Sequence, residues 1–266
     1  MAQNFPRWAR YTELHAEDLA SIRATTPVAY LPWGALEWHG PHLPFGLAGM
    51  TAEAIAERVA QRTGGVLLPT TWWPITALPH TDSLAVPTLI VRALFDSILG
   101  NLARAGWKVV VLISGHYAQA HELVLMDAAE DAISHHGLLT LALPPLALVD
   151  EEMLDHAALW ETSQLMAVRP QLVRLDALGS EALTPHKHGV IGRDPRGTAS
   201  AALGERALTM ATDSIVRAVE ELLETGDSAP LFALYAQRRL RYQPYVRRYC
   251  HSSYEQAMSD WWDEQP

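Results

Sequence analysis

Three observations predict an α/β domain with a mainly parallel sheet. Short apolar runs alternate with amphipathic segments along most of the 266 residues, the pattern of βαβ units. One run, Lys108-Val-Val-Val-Leu-Ile113, is continuously apolar, as a strand covered on both faces must be. No internal repeat or low-complexity linker breaks the alternation, so the units read as one domain.

Val28–Leu31 is the first expected strand, an apolar stretch leading into a polar motif. Glu53–Gln61 follows as an amphipathic helix with Ile55 and Val59 four residues apart, and Gly64-Gly65 breaks it. Val66-Leu-Leu-Pro69 makes a short strand. The next helix starts near Pro87, whose fixed φ and missing N–H suit a first turn, and runs to Ala105, where Gly106 stops it. The Lys108–Ile113 strand ends at Ser114-Gly-His116, and a helix is expected from Gln119 to His136. Leu138–Leu143 is another strand, and Leu159–Val168 and Thr198–Leu223 are helices. Right-handed crossovers between parallel strands follow from this order.

With 49% apolar and 19% charged residues the chain can bury a sizeable core. A net charge of −10 argues against a nucleic-acid partner, which needs a basic face. The single cysteine, Cys250, cannot form an intrachain disulfide. No apolar run approaches membrane-spanning length and Met1–Arg7 carries no apolar leader core, so a cytoplasmic protein without a membrane partner is expected.

The texture changes at Ser228, dividing the chain into a domain at 1–227 and an extension at 228–266. The extension interleaves Arg238, Arg239, Arg241, Arg247 and Arg248 with Tyr235, Tyr242, Tyr245 and Tyr249, then places Trp261-Trp262 among acids. Arginines and aromatics can stack on nucleic acid, but the overall acidity speaks against it. The segment is expected to pack on the domain or across a subunit boundary, with the boundary favoured.

Glu37 and His39 stand in Leu31-Pro-Trp-Gly-Ala-Leu-Glu-Trp-His-Gly-Pro-His42. In extended backbone, positions two apart share a side, here at the carboxyl end of a strand, where open α/β sheets bind ligands. An oxygen and a nitrogen on one side suit a divalent ion such as zinc or manganese. The competing reading is a turn-capping His39 and a solvated Glu37. His42 is expected to contact substrate or support the ligands. His80 (with Asp82), His186 and His188 either line the pocket rim or are ordinary loop histidines. His15, His121, His135, His136 and His251 read as surface residues. Nucleophilic catalysis fits poorly, because Cys250 lies in the tail and no Gly-x-Ser-x-Gly elbow occurs. The glycine pairs lack a phosphate-binding context, which disfavours dinucleotide enzymes.

Four blocks carry a family resemblance. Leu31–Pro44, Ser114-Gly-His-Tyr117, His156-Ala-Ala-Leu-Trp-Glu-Thr-Ser163 and Gly189-Val-Ile-Gly-Arg-Asp-Pro195 occur in the order of the creatininase (creatinine amidohydrolase) family. The resemblance implies a three-layer α/β/α sandwich, a metal site at the sheet's carboxyl edge, hydrolysis of C–N bonds in small polar, often cyclic amides, and a homo-oligomer, commonly a hexamer. The family also includes a formamidopyrimidine deformylase and the peptidase of mycofactocin maturation, so the substrate does not follow from membership.

Carried over by position, Glu37 and His39 resemble ligands to the two ions of a paired centre, and His116 a third ligand. His156 resembles a catalytic histidine. Glu161 falls on the family's acid, as ligand or catalytic group. His42, His80, Tyr117 and Trp160 are expected at the substrate. The sequence departs from the pattern at Ala48, where the family places an aspartate bridging both ions, and at Ala118, where creatininase itself has a glutamate that many relatives lack. A methyl group cannot ligate, and two cations without a bridging carboxylate repel. The divalent ion is therefore expected singly, at reduced stoichiometry or not at all. The expected activity is a metal-dependent amidohydrolase. Its rivals are a catalytically silent member that binds a small molecule and a hydrolase or isomerase of sugar-like rings.

Overall fold

Five parallel strands form one sheet in the computed structural model, which describes residues 7–266. They are β1 (Trp8–Arg10), β2 (Val28–Trp33), β3 (Gly65–Leu67), β4 (Val109–Ser114) and β5 (Leu139–Leu143), ordered β1-β3-β2-β4-β5. The six residues of β2 pair in register with those of β4, Val28 opposite Val109 through Trp33 opposite Ser114, and all twelve are buried. Continuous apolar sequence suits exactly these central positions, since helices cover both faces.

The helices are α1 (Ala16–Thr25), α2 (Leu47–Thr63), α3 (Thr88–Arg104), α4 (Gln119–His136), α5 (Leu159–Val168), α6 (Pro185–His188), α7 (Ala201–Thr225), α8 (Ala229–Tyr249) and α9 (Tyr254–Asp263). α2, α5 and α7 pack together on one side of the sheet, and α3 with α4 form the opposite layer. This is the expected three-layer α/β/α sandwich. Its core centres on Tyr30, Trp33, Phe95 and Leu112, with the Trp33 and Phe95 rings 3.9 Å apart between centroids. Burying a large apolar side chain contributes about 1.5–3 kcal/mol, so this layer dominates stability.

α2 begins six residues before the expected Glu53, and its first turn is driven against the sheet's carboxyl end. A Cβ on Gly34 would lie 2.2 Å from the Gly49 nitrogen, and one on Gly115 1.9 Å from the Ala48 oxygen. Only glycine permits the chain leaving β2 and β4 to touch helix backbone this closely. The loops carrying Glu37 and His116 are thereby drawn together.

The extension folds onto its own domain. α8 lies against α4 and β5, where the buried Tyr235 hydroxyl donates to the Thr140 carbonyl at 2.5 Å and accepts from the Ala142 N–H at 3.0 Å. Arg238, also buried, forks onto Glu122 of α4, contacts Glu151, and shares Glu122 with the Tyr242 hydroxyl. Glu255 of α9 accepts from the Thr88 N–H at 2.8 Å and its hydroxyl at 2.7 Å, capping α3. The tail's buried tyrosines and Trp262 are thus engaged within their own chain. No helix among the described residues is long and apolar enough to cross a membrane.

Candidate metal centre

Glu37 and His39 lie just past β2, in a loop rather than in extended strand, with the Glu37 N–H bonded to the Phe45 carbonyl at 3.0 Å. Both are buried. Glu37 Oε1 accepts from the Leu78 N–H at 2.6 Å. Its Oε2 has no hydrogen-bond partner and faces His116 Nδ1 at 2.9 Å, His39 Nε2 at 3.9 Å and His156 Nδ1 at 3.9 Å.

Each imidazole is oriented through its other nitrogen. His39 Nδ1 donates to the Glu37 carbonyl at 2.8 Å, His116 Nε2 to that of Thr76 at 2.6 Å, and His156 Nε2 to that of Trp38 at 3.1 Å. Carbonyls only accept, so a neutral ring must turn its unprotonated nitrogen toward Glu37. With all three rings neutral, three lone pairs converge on an anionic oxygen. Such a set is unfavourable unless a cation or protons lie between, and carbonyl-anchored imidazoles are how proteins present metal ligands. Zn–N bonds of about 2.0–2.1 Å imply tetrahedral ligand separations of about 3.3 Å, within the range these groups span. Among the described residues, Glu37, His39 and His156 form a group whose ligand atoms lie within 4.8 Å of one another. The residues fit one divalent ion.

The electrostatics of the metal-free chain separate His39 and His156, which are favoured as neutral rings, from His116, whose protonated form Glu37 favours. Burial lowers the His39 pKa, and burial with the stacked His39 ring takes His156 down to about 3, so both rings are favoured neutral. For His116 burial is outweighed by Glu37, and its pKa is raised. Burial alone would raise the Glu37 pKa, but His116 and His156 hold it well below the usual range.

Glu161, at the start of α5, accepts from the Ala157 N–H at 2.6 Å, and its Oε2 lies 3.6 Å from His39 Nε2. Burial, reinforced by Asp155, pushes its carboxyl well up. Asp155 caps α5 through the N–H groups of Trp160 (2.7 Å) and Glu161 (3.1 Å), and burial pushes it up to about 7. Between them Ala157 has φ +50°, the one non-glycine positive φ among the described residues. Strain of this kind costs on the order of 1–3 kcal/mol and collects at functional sites. His42 holds this turn by donating to the Ala157 carbonyl at 3.0 Å, and burial takes its pKa down to about 4.

A cavity of about 160 Å³ borders the cluster. Glu37, His116, His156, Tyr117 and Asp155 line one side, and Tyr245, Met258 and Trp261 of the tail another. Of the residues expected at the substrate, Tyr117 lines this cavity and the others do not. His42 lies beneath the Ala157 turn, Trp160 packs into the core, and His80 is an exposed residue stacked on Trp38 at 5.0 Å. His186 bonds the Gln265 carbonyl and His188 the Thr184 N–H, both away from the cavity. Ala48 is fully buried in the first turn of α2, and Ala118 lines the cavity. His121, expected at the surface, is instead completely buried between His116 and the Trp33–Phe95 pair, where burial lowers its pKa far below normal. Its place one turn into α4, on the face toward the sheet, is the signal that exposes this error.

An α/β/α sandwich with histidines and a carboxylate gathered at its carboxyl edge defines the class of protein. Residues 12–219 match the creatininase family, described as creatinine amidohydrolase, and the chain belongs to that family. It is 28% identical over 184 residues to a creatinine amidohydrolase from Pseudomonas putida, covering 59% of this chain and 70% of that protein. The fold is similar to a crystal structure of creatinine amidohydrolase (creatininase), at TM-score 0.70 and 22% identity over 79% of this chain and 96% of that one. It is likewise similar to a structure described as creatininase Mn, at TM-score 0.69 and 22% identity over 79% and 97%.

Proposed function

We propose that this chain is a metal-dependent amidohydrolase that breaks a C–N bond in a small polar amide, cyclic amides included. The observation that carries the reading is the convergence of three carbonyl-anchored imidazoles on the unpartnered Glu37 oxygen. Glu37, His39, His116 and His156 would hold a single zinc or manganese ion, since Ala48 supplies nothing to bridge a second. A divalent ion in such a site lowers the pKa of bound water and polarises a carbonyl.

The chain's own groups supply the rest. Glu161, whose carboxyl burial and Asp155 push well up, lies beside His39 and is suited to deliver a proton to a departing nitrogen. The strained turn at Ala157 fixes His156 and Glu161 relative to each other, and tail side chains wall the cavity from water. A second reading, a silent family member that binds a small molecule without turnover, is favoured by Ala48 and by the absence of a carboxylate at Ala118.

Metal analysis of the purified chain after loading with zinc or manganese, beside an assay of amine or ammonia release from small amides, tests both. One ion per chain with metal-dependent release supports the amidohydrolase. One ion without release from any amide supports the silent binder, and failure to retain an ion overturns the metal centre.

A further inference from the structure

We propose that α8 and α9 are the substrate-selecting wall of the site, and that the cavity admits a neutral amide borne on a single flat ring. The proposal deepens the amidohydrolase reading and rests on it for the position of the scissile bond, not for the selectivity itself.

Four observations carry it. The family match ends at residue 219, whereas Tyr245, Met258 and Trp261 come from beyond it. Selection by these side chains therefore belongs to this chain and not to the shared domain. The charged and imidazole groups of the lining are Glu37, Asp155, His116 and His156, with Gln119 and two tyrosines beside them; Leu78, Leu154, Ile191, Met258 and Trp261 make up its apolar part. Its volume of about 160 Å³ is close to the roughly 150 Å³ of an apolar protein cavity that holds one benzene molecule. A single ring fits within it.

Charge sets the third condition. Among the described residues no lysine or arginine lines the cavity, whereas two carboxylates do. With the amide at the ion, a carboxylate or phosphate on the far side of the ring would lie against the apolar tail wall without a partner, which is strongly unfavourable. A neutral ring between Trp261, Tyr245 and Ile191 gains stacking and apolar burial instead.

The wall is also fixed in place. Arg238, two turns before Tyr245 on α8, is forked onto buried Glu122, six residues after His116 in sequence. Glu255 ties α9 to the start of α3 three residues before Met258. A wall anchored at both helices presents a defined shape, and shape discriminates only when it is preorganised.

Calorimetric titration of the full-length, metal-loaded chain with benzamide, 4-carbamoylbenzoate and acetamide tests the proposal. Benzamide is expected to bind about tenfold or more tightly than either of the others, and Trp261→Ala to weaken benzamide by about tenfold with acetamide changed less than about twofold. Trp261→Phe should keep most of the benzamide affinity. Ile191→Trp, which fills the cavity from a second lining position, should exclude benzamide and still admit acetamide, so the outcome does not depend on one variant folding. Equal affinities for benzamide and 4-carbamoylbenzoate, or benzamide binding indifferent to both Trp261→Ala and Ile191→Trp, would overturn it. Hydrolysis is read separately by ammonia release. The expected binding pattern without turnover of any amide retains the wall and removes the amidohydrolase reading; turnover with benzamide binding indifferent to both variants does the reverse.

Discussion

The two carboxylate oxygens of Glu37 have separate roles. Oε1 secures the 78 loop through the Leu78 N–H, and Oε2 faces the imidazoles. Glu37→Gln keeps an acceptor for Leu78 and removes the charge. Its zinc affinity, read by competition with a chelator, should fall by more than the 10–100-fold typical of groups that only support ligands, with the circular-dichroism spectrum unchanged. Ala48→Asp works in the opposite sense. It buries a carboxylate at a fully enclosed position, so the metal-free variant should lose about 2–4 kcal/mol, and a second bound ion should restore much of it. A thermal shift with zinc no larger than that of the unaltered chain would refute this. Glu37, His39 and His116 were legible in the sequence as ligands because short motifs keep their ligand types together, whereas His156, expected as a catalytic histidine, groups with Glu37 and His39 only in the fold. The carbonyls of Thr76 and Trp38 that orient the rings were not legible, since any residue type can donate a carbonyl and only the tertiary fold selects which. Asp155 was missed for a related reason: its task is local capping, and burial, not sequence, gives it a raised pKa.

At the scale of elements, the contact of α2 with the carboxyl end of the sheet is the least tolerant joint. Gly115→Ala would place a methyl 1.9 Å from the Ala48 oxygen, so β4 and α2 must part; a loss of about 3 kcal/mol or more in urea unfolding is expected. The strands and crossover helices could be read from apolar periodicity because each buries a long, regular face. β1 is only three half-buried residues, too short to show any period. α8 was hidden differently. Its buried positions, Leu231, Tyr235, Arg238, Tyr242 and Tyr245, fall at helical spacing, but a core-facing arginine and the internal Pro244 disguise the stripe. The arginine is intelligible only once Glu122 is seen buried beneath it. Arg238→Ala should therefore cost about 3–5 kcal/mol by stranding that carboxylate, and Arg238→Met combined with Glu122→Leu should recover most of it. Chemical denaturation of the single and double variants checks the coupling.

For the whole molecule, the extension is a structural part of the domain it covers. A chain ending at Asp227 would uncover β5, α4 and the cavity wall together, and is expected to bind a hydrophobic dye and melt about 10 °C or more below the full chain. Equal melting temperatures by calorimetry would show the tail to be dispensable. The Tyr235 phenol has one more consequence. By taking the Ala142 N–H and giving its proton to the Thr140 carbonyl, it occupies the two outward rungs on which a sixth strand would start. The helix that frames the cavity thus also blunts a sticky margin of the sheet. Selection that loosens the tail to widen the diet of ligands would reopen that margin to passing peptides, so new specificities in this lineage should arise first in α9, which can drift without unsealing β5.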